Sequence, residues 1–326
     1  MIILDDDQIN ARVDLRALVA HLRAALAEEG CAPARMHVDL PEVGSTLLVM
    51  PAWAAGAVGV KVITVSEGNR ERGLPTINGQ YLLIDGPTGV VDALLSAAAL
   101  TSLRTAAVSA LASDFLSRED AATFLMIGTG QLAQYLVRAH ATVRSFDRIV
   151  LWGRRREKAD AIAGSLRERG LSVSVSTDLI SALREADVVC AATSSNAPLI
   201  TALDVQPGTH IDLVGSFTPE MREAEAELFR GNRLIVDLPV AFEKSGDLLA
   251  PVQAGYITAT APELKDMLRD RQLGRQSNAE ITIFKAVGNG LADLATAQHL
   301  LAEPIFKPEL EASELPKSAQ NEENQS

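Results

Sequence analysis

The sequence predicts an α/β protein: a doubly wound parallel sheet together with a second domain of mixed helices and strands. Three observations carry this. From Thr123 onward, strand-sized apolar runs alternate with helical stretches, as strands with crossover helices require. Before that point the texture differs, with an amphipathic helix, four strand-like runs and a long alanine-rich helix. The chain's 326 residues are also too many for one compact core and suit two domains.

Taken in order, residues 12–29 place Leu15, Leu18, Val19, Leu22 and Leu26 on one helical face. Strand-like runs follow at Arg35–Val38, Thr46–Met50, Gly59–Ile63 and Gln80–Ile84, punctuated by Gly and Pro. Asp85–Gly89 is a turn by composition, and an Ala- and Leu-rich helix then runs from about Val91 to Phe115, with a break near Thr101. Strands of the parallel sheet are expected at Thr123–Ile127, Arg148–Trp152, Leu171–Ser174, Val188–Ala192, His210–Val214 and Arg233–Val236. Residues 278–301 read as helix, with Ile281, Phe284, Val287, Leu291 and Leu294 periodic. Residues 304–326, rich in Pro, Glu, Ser, Asn and Gln, read as a disordered tail.

Composition excludes several classes. A net charge of −12 opposes nucleic-acid binding, because phosphates would be repelled by the chain as a whole. No apolar run approaches the ~20 residues that span a bilayer. Asp5, Asp6, Asp7 and Asp14 near the start do not fit a signal peptide, so a cytoplasmic protein is expected. Two distant cysteines, Cys31 and Cys190, and five scattered histidines show no disulfide framework or metal-ligand spacing, and no metal is expected. Cys190, in an apolar run, reads as a small hydrophobe.

The most chemically informative stretch is Phe124-Leu-Met-Ile127 leading into Gly128-Thr-Gly-Gln-Leu-Ala133. A G-x-G-x-x-A run between strand and helix is the Rossmann dinucleotide turn. Gly128 permits the tight turn, Gly130 lets backbone approach a pyrophosphate, and Ala133 lets helix pack close to strand. The helix N-terminus then offers free N–H groups to the anion, with Gln131 and Leu132 in its first turn. The second strand ends in Gly153-Arg154-Arg155, where an NAD-selective site would carry an acid for the ribose 2′-hydroxyl. Two arginines and no acid favour a 2′-phosphate, hence NADPH, with NADH possible. Thr193, Ser194, Val214 and Gly215 lie at later strand ends, where such sheets line their ligand crevice.

The first 115 residues hold isolated cations in apolar settings: Lys61 in a strand, Arg104 in a helix with little other charge, and Arg35 before a strand. Each is read either as an anion-binding group or as a surface, snorkelling or ion-paired side chain.

Around these residues the chain resembles the ornithine cyclodeaminase/μ-crystallin family. The runs are Gly59-Val-Lys-Val-Ile63, Gly73-Leu-Pro-Thr76, Leu82-Leu-Ile-Asp85, Leu103-Arg-Thr-Ala-Ala-Val-Ser-Ala110, Ile127-Gly-Thr-Gly-Gln131, Gly215-Ser-Phe-Thr-Pro219, Ser245-Gly-Asp247 and Ile283-Phe-Lys-Ala-Val-Gly288, with Asp293-Leu-Ala295. The resemblance implies a homodimer with the Rossmann domain, 116–284, inserted into an α+β substrate and dimerisation domain made of 1–115 and 285–303. It also implies that Arg35, Lys61 and Arg104 hold a small imino or amino acid by its carboxylate, that Thr76 and Arg104 touch the cofactor, and that Lys61 could relay a proton.

Cyclodeaminases of this family carry an aspartate where this chain has Phe217, and an acid at the second strand end. Both differences turn the expectation away from ornithine cyclodeamination. The segment Gly215–Glu223 resembles the imine-reductase branch, which reduces Δ1-pyrroline-2-carboxylate to L-proline and Δ1-piperideine-2-carboxylate to L-pipecolate. Amino-acid deamination of the cyclodeaminase or alanine dehydrogenase type, and non-catalytic NADPH-dependent ligand binding of the μ-crystallin type, remain the alternatives.

Overall fold

Period-two alternation of apolar residues builds the first sheet. The structure, a computed structural model, describes residues 1–302, so the tail expected at 304–326 lies outside the described residues. After β1 (Ile2–Leu4), α1 (Asp6–Arg12) and α2 (Leu15–Ala25) come β2 (Met36–Leu40), β3 (Ser45–Ala54), β4 (Ala57–Val65), β5 (Ile77–Asp85) and β6 (Val91–Ser96). They form a six-stranded sheet in the order β1-β6-β5-β4-β3-β2, antiparallel throughout apart from the parallel β1–β6 pair. Along β4, Gly59, Lys61 and Ile63 are buried in alternation, so the lysine points into the protein rather than to solvent.

Three expectations for this half are corrected. The helix expected over 12–29 is shorter, because Asp14 caps α2 by accepting from Arg16 N at 2.8 Å and Ala17 N at 3.3 Å, while α1 forms separately behind its own Asp5 cap. Residues 91–96 are strand, since Ala93 and Leu95 alternate inward between β5 and β1. The long helix therefore starts later, as α3 (Ala97–Leu116), and runs unbroken through Thr101. Asp6 of α1 caps its start, accepting from Ala99 N at 3.1 Å and from the Ser96 hydroxyl. Apolar on nearly every side, α3 is a buried helix, packed against both sheets.

The second half comprises β7 (Thr123–Ile127), α4 (Leu132–Val143), β8 (Arg148–Trp152), α5 (Arg156–Glu168), β9 (Val173–Ser176), α6 (Leu179–Arg184), β10 (Val188–Ala191), β11 (His210–Leu213), β12 (Arg233–Val236), α7 (Ala241–Lys244), α8 (Gly246–Gln253), α9 (Leu264–Arg269) and β13 (Thr282–Lys285). Seven parallel strands run β12-β13-β11-β10-β7-β8-β9. The strand expected at Leu171–Ser174 sits two residues later, paired with β8. The helix expected over 278–301 is split: residues 282–285 form β13, inserted between β11 and β12 and buried on both faces, and only α10 (Gly290–Ala302) is helical. A short run apolar on every side fits either period, and the open place between two strands decides it. α10 then returns to pack on α2, α3 and β3 of the first half.

Winding reverses between β7 and β10, which opens a crevice at the strand carboxyl ends. Beneath the sheet, Cys190, His140 and Asp212 bring their polar atoms within 4.8 Å of one another, a convergence their sequence positions do not announce. Ser109 Oγ and Cys190 Sγ donate to Asp212 Oδ2, the thiol at 3.2 Å, and His140 Nδ1 meets Leu136 O at 2.9 Å. Burial raises the Asp212 and Cys190 groups and lowers His140, so all three tend to neutral forms in a hydrogen-bonded core. Cys190 is thus a polar partner as well as a small hydrophobe. No described helix is long and apolar enough to cross a membrane.

Candidate active site

The glycine turn forms one wall of a cleft of about 360 Å³. Gly128, Thr129 and Gly130 come from the end of β7, Gly153, Arg154 and Arg155 from the end of β8 with Lys158 from the start of α5, and Thr193, Ser194 and Ser195 from the end of β10. Gly128 adopts φ +123°, and a Cβ there would stand 2.5 Å from Ala192 O, so only glycine fits. Gln131 is the N-cap of α4 and no side chain caps it, which leaves first-turn N–H groups free for an anion. Arg154 and Arg155 are exposed at the rim and form no ion pair among the described residues.

A buried carboxylate ties the far wall together. Glu223 accepts from Thr193 N at 2.6 Å, Thr193 Oγ1 at 2.9 Å and Gly215 N at 2.7 Å, locking the ends of β10 and β11. The Thr193 hydroxyl therefore faces the protein. Asp247 in turn accepts from Glu223 N at 2.7 Å and Ala224 N at 3.1 Å, and Lys285 Nζ, 3.4 Å away, supplies the countercharge. A Cβ on Gly215 would press on the Thr193 carbonyl and on Glu223, so Gly215→Ala should force the two strand ends apart. The expected cost is about 1–3 kcal/mol in urea unfolding, with weaker dinucleotide binding in the same variant.

Beyond this wall lies an inner cavity of about 150 Å³. Arg35 and Arg104 supply its cations, Leu132, Val108, Val214 and Phe217 its apolar lining, and Asp237 with the 286–289 loop the rest. Phe217 is 53% exposed, so it is a cavity wall and not core packing. Lys61 does not line the cavity. Its Nζ sits 2.6 Å from Asp293 Oδ2 and 3.4 Å from Thr101 Oγ1, while Arg104 Nε donates to Asp293 Oδ1 at 2.9 Å. Burial, against the pull of Asp293, lowers the Lys61 ammonium to about 8, and neighbouring Arg104 and Arg35 add to the effect. Burial would raise the Asp293 carboxyl, but Lys61 and Arg104 hold it below the usual range. With Nε engaged, Arg104 is left with its terminal nitrogens beside Gly288, where a Cβ would stand 3.1 Å from each.

The family's sequence model, ornithine cyclodeaminase/mu-crystallin, matches residues 2–303. The chain belongs to this family. A Delta(1)-pyrroline-2-carboxylate reductase of Bacillus cereus is 33% identical over 92% of this chain and 95% of its own. The structure of Thermococcus litoralis Delta(1)-pyrroline-2-carboxylate reductase in complex with NADH and L-proline superposes with a TM-score of 0.85 at 26% identity, covering 92% of this chain and 96% of that one. An archaeal alanine dehydrogenase dimer with bound NAD gives 0.83 at 26% identity, covering 92% and 94%. The protein is an NAD(P)H-dependent oxidoreductase of this family.

Many of the expected positions come together. Gly128, Gly130, Gly153, Arg154, Arg155, Thr193 and Ser194 share the cleft, and Arg35, Arg104, Leu132 and Val214 share the cavity. Thr76 stands apart, closing a turn through its carbonyl to Ser66 N at 2.8 Å, and lines neither space. Reasoning from sequence missed Asp293, Asp237 and Glu223 as functional groups. Asp293 had a signal, as the only Asp or Glu in the largely apolar α10. Asp237 and Glu223 had none, since acids in loops are ordinary.

Proposed function

We propose that the protein reduces a cyclic ketimine carboxylate with NADPH, converting Δ1-pyrroline-2-carboxylate to L-proline, Δ1-piperideine-2-carboxylate to L-pipecolate, or both. The observation that carries this reading is the inner cavity, whose lining combines the guanidinium groups of Arg35 and Arg104 with apolar Val108, Val214 and Phe217. Such a space suits a ring whose polar end is a carboxylate and whose other carbons are methylenes. The bound nicotinamide would supply the hydride. Arg35 and Arg104 would hold the carboxylate, with Lys61 adding charge from behind Asp293, and so fix the imine carbon at transfer distance. The uncapped start of α4 and Gly130 suit the pyrophosphate. Phe217 offers no proton to an amino nitrogen, which disfavours deamination and ring closure.

The test is NADPH oxidation by the purified protein with each imine. Steady turnover is expected, and none with either imine would remove the proposal. Ammonia release from L-alanine or L-ornithine would favour the deaminating alternative, and tight NADPH binding without any turnover the μ-crystallin-like one.

NADPH preference rests on unpaired Arg154 and Arg155 at the rim, with Lys158 beside them. The double variant Arg154→Ala, Arg155→Ala should raise the KM for NADPH on the order of 10-fold or more and leave that for NADH nearly unchanged. Equal effects on both would refute the 2′-phosphate role. A homodimer is proposed with the same reading. Edge strand β2 leaves Met36 and Val38 exposed, and Leu74 and Ile77 are bare on the same half, an apolar surface that a second copy would cover. The setting proposed is the cytoplasm, where Cys31 and Cys190 stay free thiols.

A further inference from the structure

Reduction of an imine needs one proton at nitrogen for each hydride at carbon, and the cations that line the cavity hold none to spare. Lys61 lies behind Arg104 in its ion pair with Asp293, and Arg35 and Arg104 are guanidinium groups that keep their protons. Asp237 is the carboxyl that lines the cavity.

Its setting is specific. Asp237 follows β12 directly and is 4% exposed. One oxygen, Oδ2, accepts from Val287 N at 2.9 Å and Gly288 N at 2.7 Å, which fixes the carboxyl against the loop after β13. The other oxygen, Oδ1, is buried and has no hydrogen-bond partner. Leaving a buried acceptor unpaired is unfavourable, whereas a proton on it is a donor awaiting an acceptor. The same residue also lines a second cavity of about 220 Å³ on its other side, between the α2–β2 turn and α9. Asp237 and Asn289 are common to the two spaces, so the residue stands in the wall between them.

We propose that Asp237 donates the proton to the imine nitrogen and is recharged from the outer cavity. This rests on the imine-reductase reading. The balance is closed: hydride forms the new C–H bond and leaves oxidised nicotinamide, the Asp237 O–H bond breaks as the N–H bond forms, and water in the outer cavity returns one proton to the carboxylate.

The surroundings raise the carboxyl's proton affinity toward neutral pH. Burial pushes the Asp237 carboxyl up to about 6, against the Val287 and Gly288 amides and the positive charges of Arg104 and Lys285. Arg35 also lines the inner cavity. The outer cavity carries Glu28 and Glu29 from the α2–β2 turn, Glu263 and Lys265 at the start of α9, and Arg269 at its end. Bringing a substrate carboxylate against Arg35 and Arg104 cancels positive charge near Asp237 and raises its proton affinity further.

The decisive variant is Asp237→Asn. Its amide oxygen can still accept from both loop N–H groups, so the positioning role is preserved and only the transferable proton is lost. The expected result is a kcat lower by about 100-fold or more, with KM for imine and NADPH within about threefold of wild type. Wild-type kcat should fall as pH rises through the carboxyl's value, and that limb should vanish in the variant. Wild-type kcat in Asp237→Asn, or an unchanged alkaline limb, would overturn the proposal. Inactivity of the wild type itself would instead count against the imine-reductase reading. Difference infrared spectra supply a readout that needs no turnover: a titrating carboxylic-acid band present in wild type and missing in Asp237→Asn is expected. Its absence from wild type would refute the assignment.

Discussion

Replacing Asp293 with alanine should cost about 3–5 kcal/mol of folding stability, measured as a shift of the urea midpoint at unchanged slope. The reason is the number of charges that one carboxylate satisfies. Lys61 and Asp293 are each only 3% exposed at the side chain and Arg104 11%, so the two cations face each other without solvent once the carboxylate is gone. Repulsion between Lys61 and Arg104 adds to the desolvation of each. Lys61 can relieve part of the strain by losing its proton, because burial already holds it near 8. The loss should therefore be smaller at pH 9 than at pH 6. An Asp293→Ala protein as stable as wild type at pH 6 would show that water reaches these cations.

The second large effect concerns ligand affinity. Arg104→Ala should weaken binding of L-proline or the imine by roughly 30- to 3,000-fold, the range for truncating one partner of a buried charge pair. Asp293 holds Nε, and this aims the remaining guanidinium nitrogens into the cavity in a fixed plane suited to a carboxylate. Arg104→Lys should not restore affinity, since an ammonium cannot meet Asp293 and a carboxylate in the same forked geometry. Isothermal titration of the NADPH complex with L-proline reads this directly, and a loss under threefold would remove Arg104 from the carboxylate site. The pH dependence follows the same charges. Lys61 is protonated below about 8 and neutral above it, so carboxylate affinity should hold at lower pH and decline as pH rises through that value.

Local signals carried much of the fold. The glycine turn at 128–133 is bounded by a strand and a helix at the expected places, and β12 coincides with its expected range. Errors arose where a segment's environment, and not its own composition, chose its period. Residues 91–96 and 282–285 are apolar enough for either structure, and both became strands because a neighbouring strand offered unpaired backbone groups. Similarly, Asp6 reads as a first-turn acid of α1 but acts as the cap of α3, some ninety residues on in the chain.

The site divides in the same way. Gly128, Gly130, Arg154 and Arg155 could be marked as candidates because a dinucleotide turn is a local motif, made by backbone turn and helix start within about thirty residues. Lys61 and Arg104 could be marked as cations out of place, but their partner could not be named from sequence. By itself the sequence determined the dinucleotide turn, the arginines that follow it, the family and Phe217 in place of an acid. Only the tertiary structure decided that Asp293 joins Lys61, 232 residues before it, to Arg104, that Glu223 clamps two strand ends, and that Asp237 stands between two cavities. The physical reason is desolvation. A carboxylate's role is set by which charges and amides share its burial, and that is a property of the packed chain.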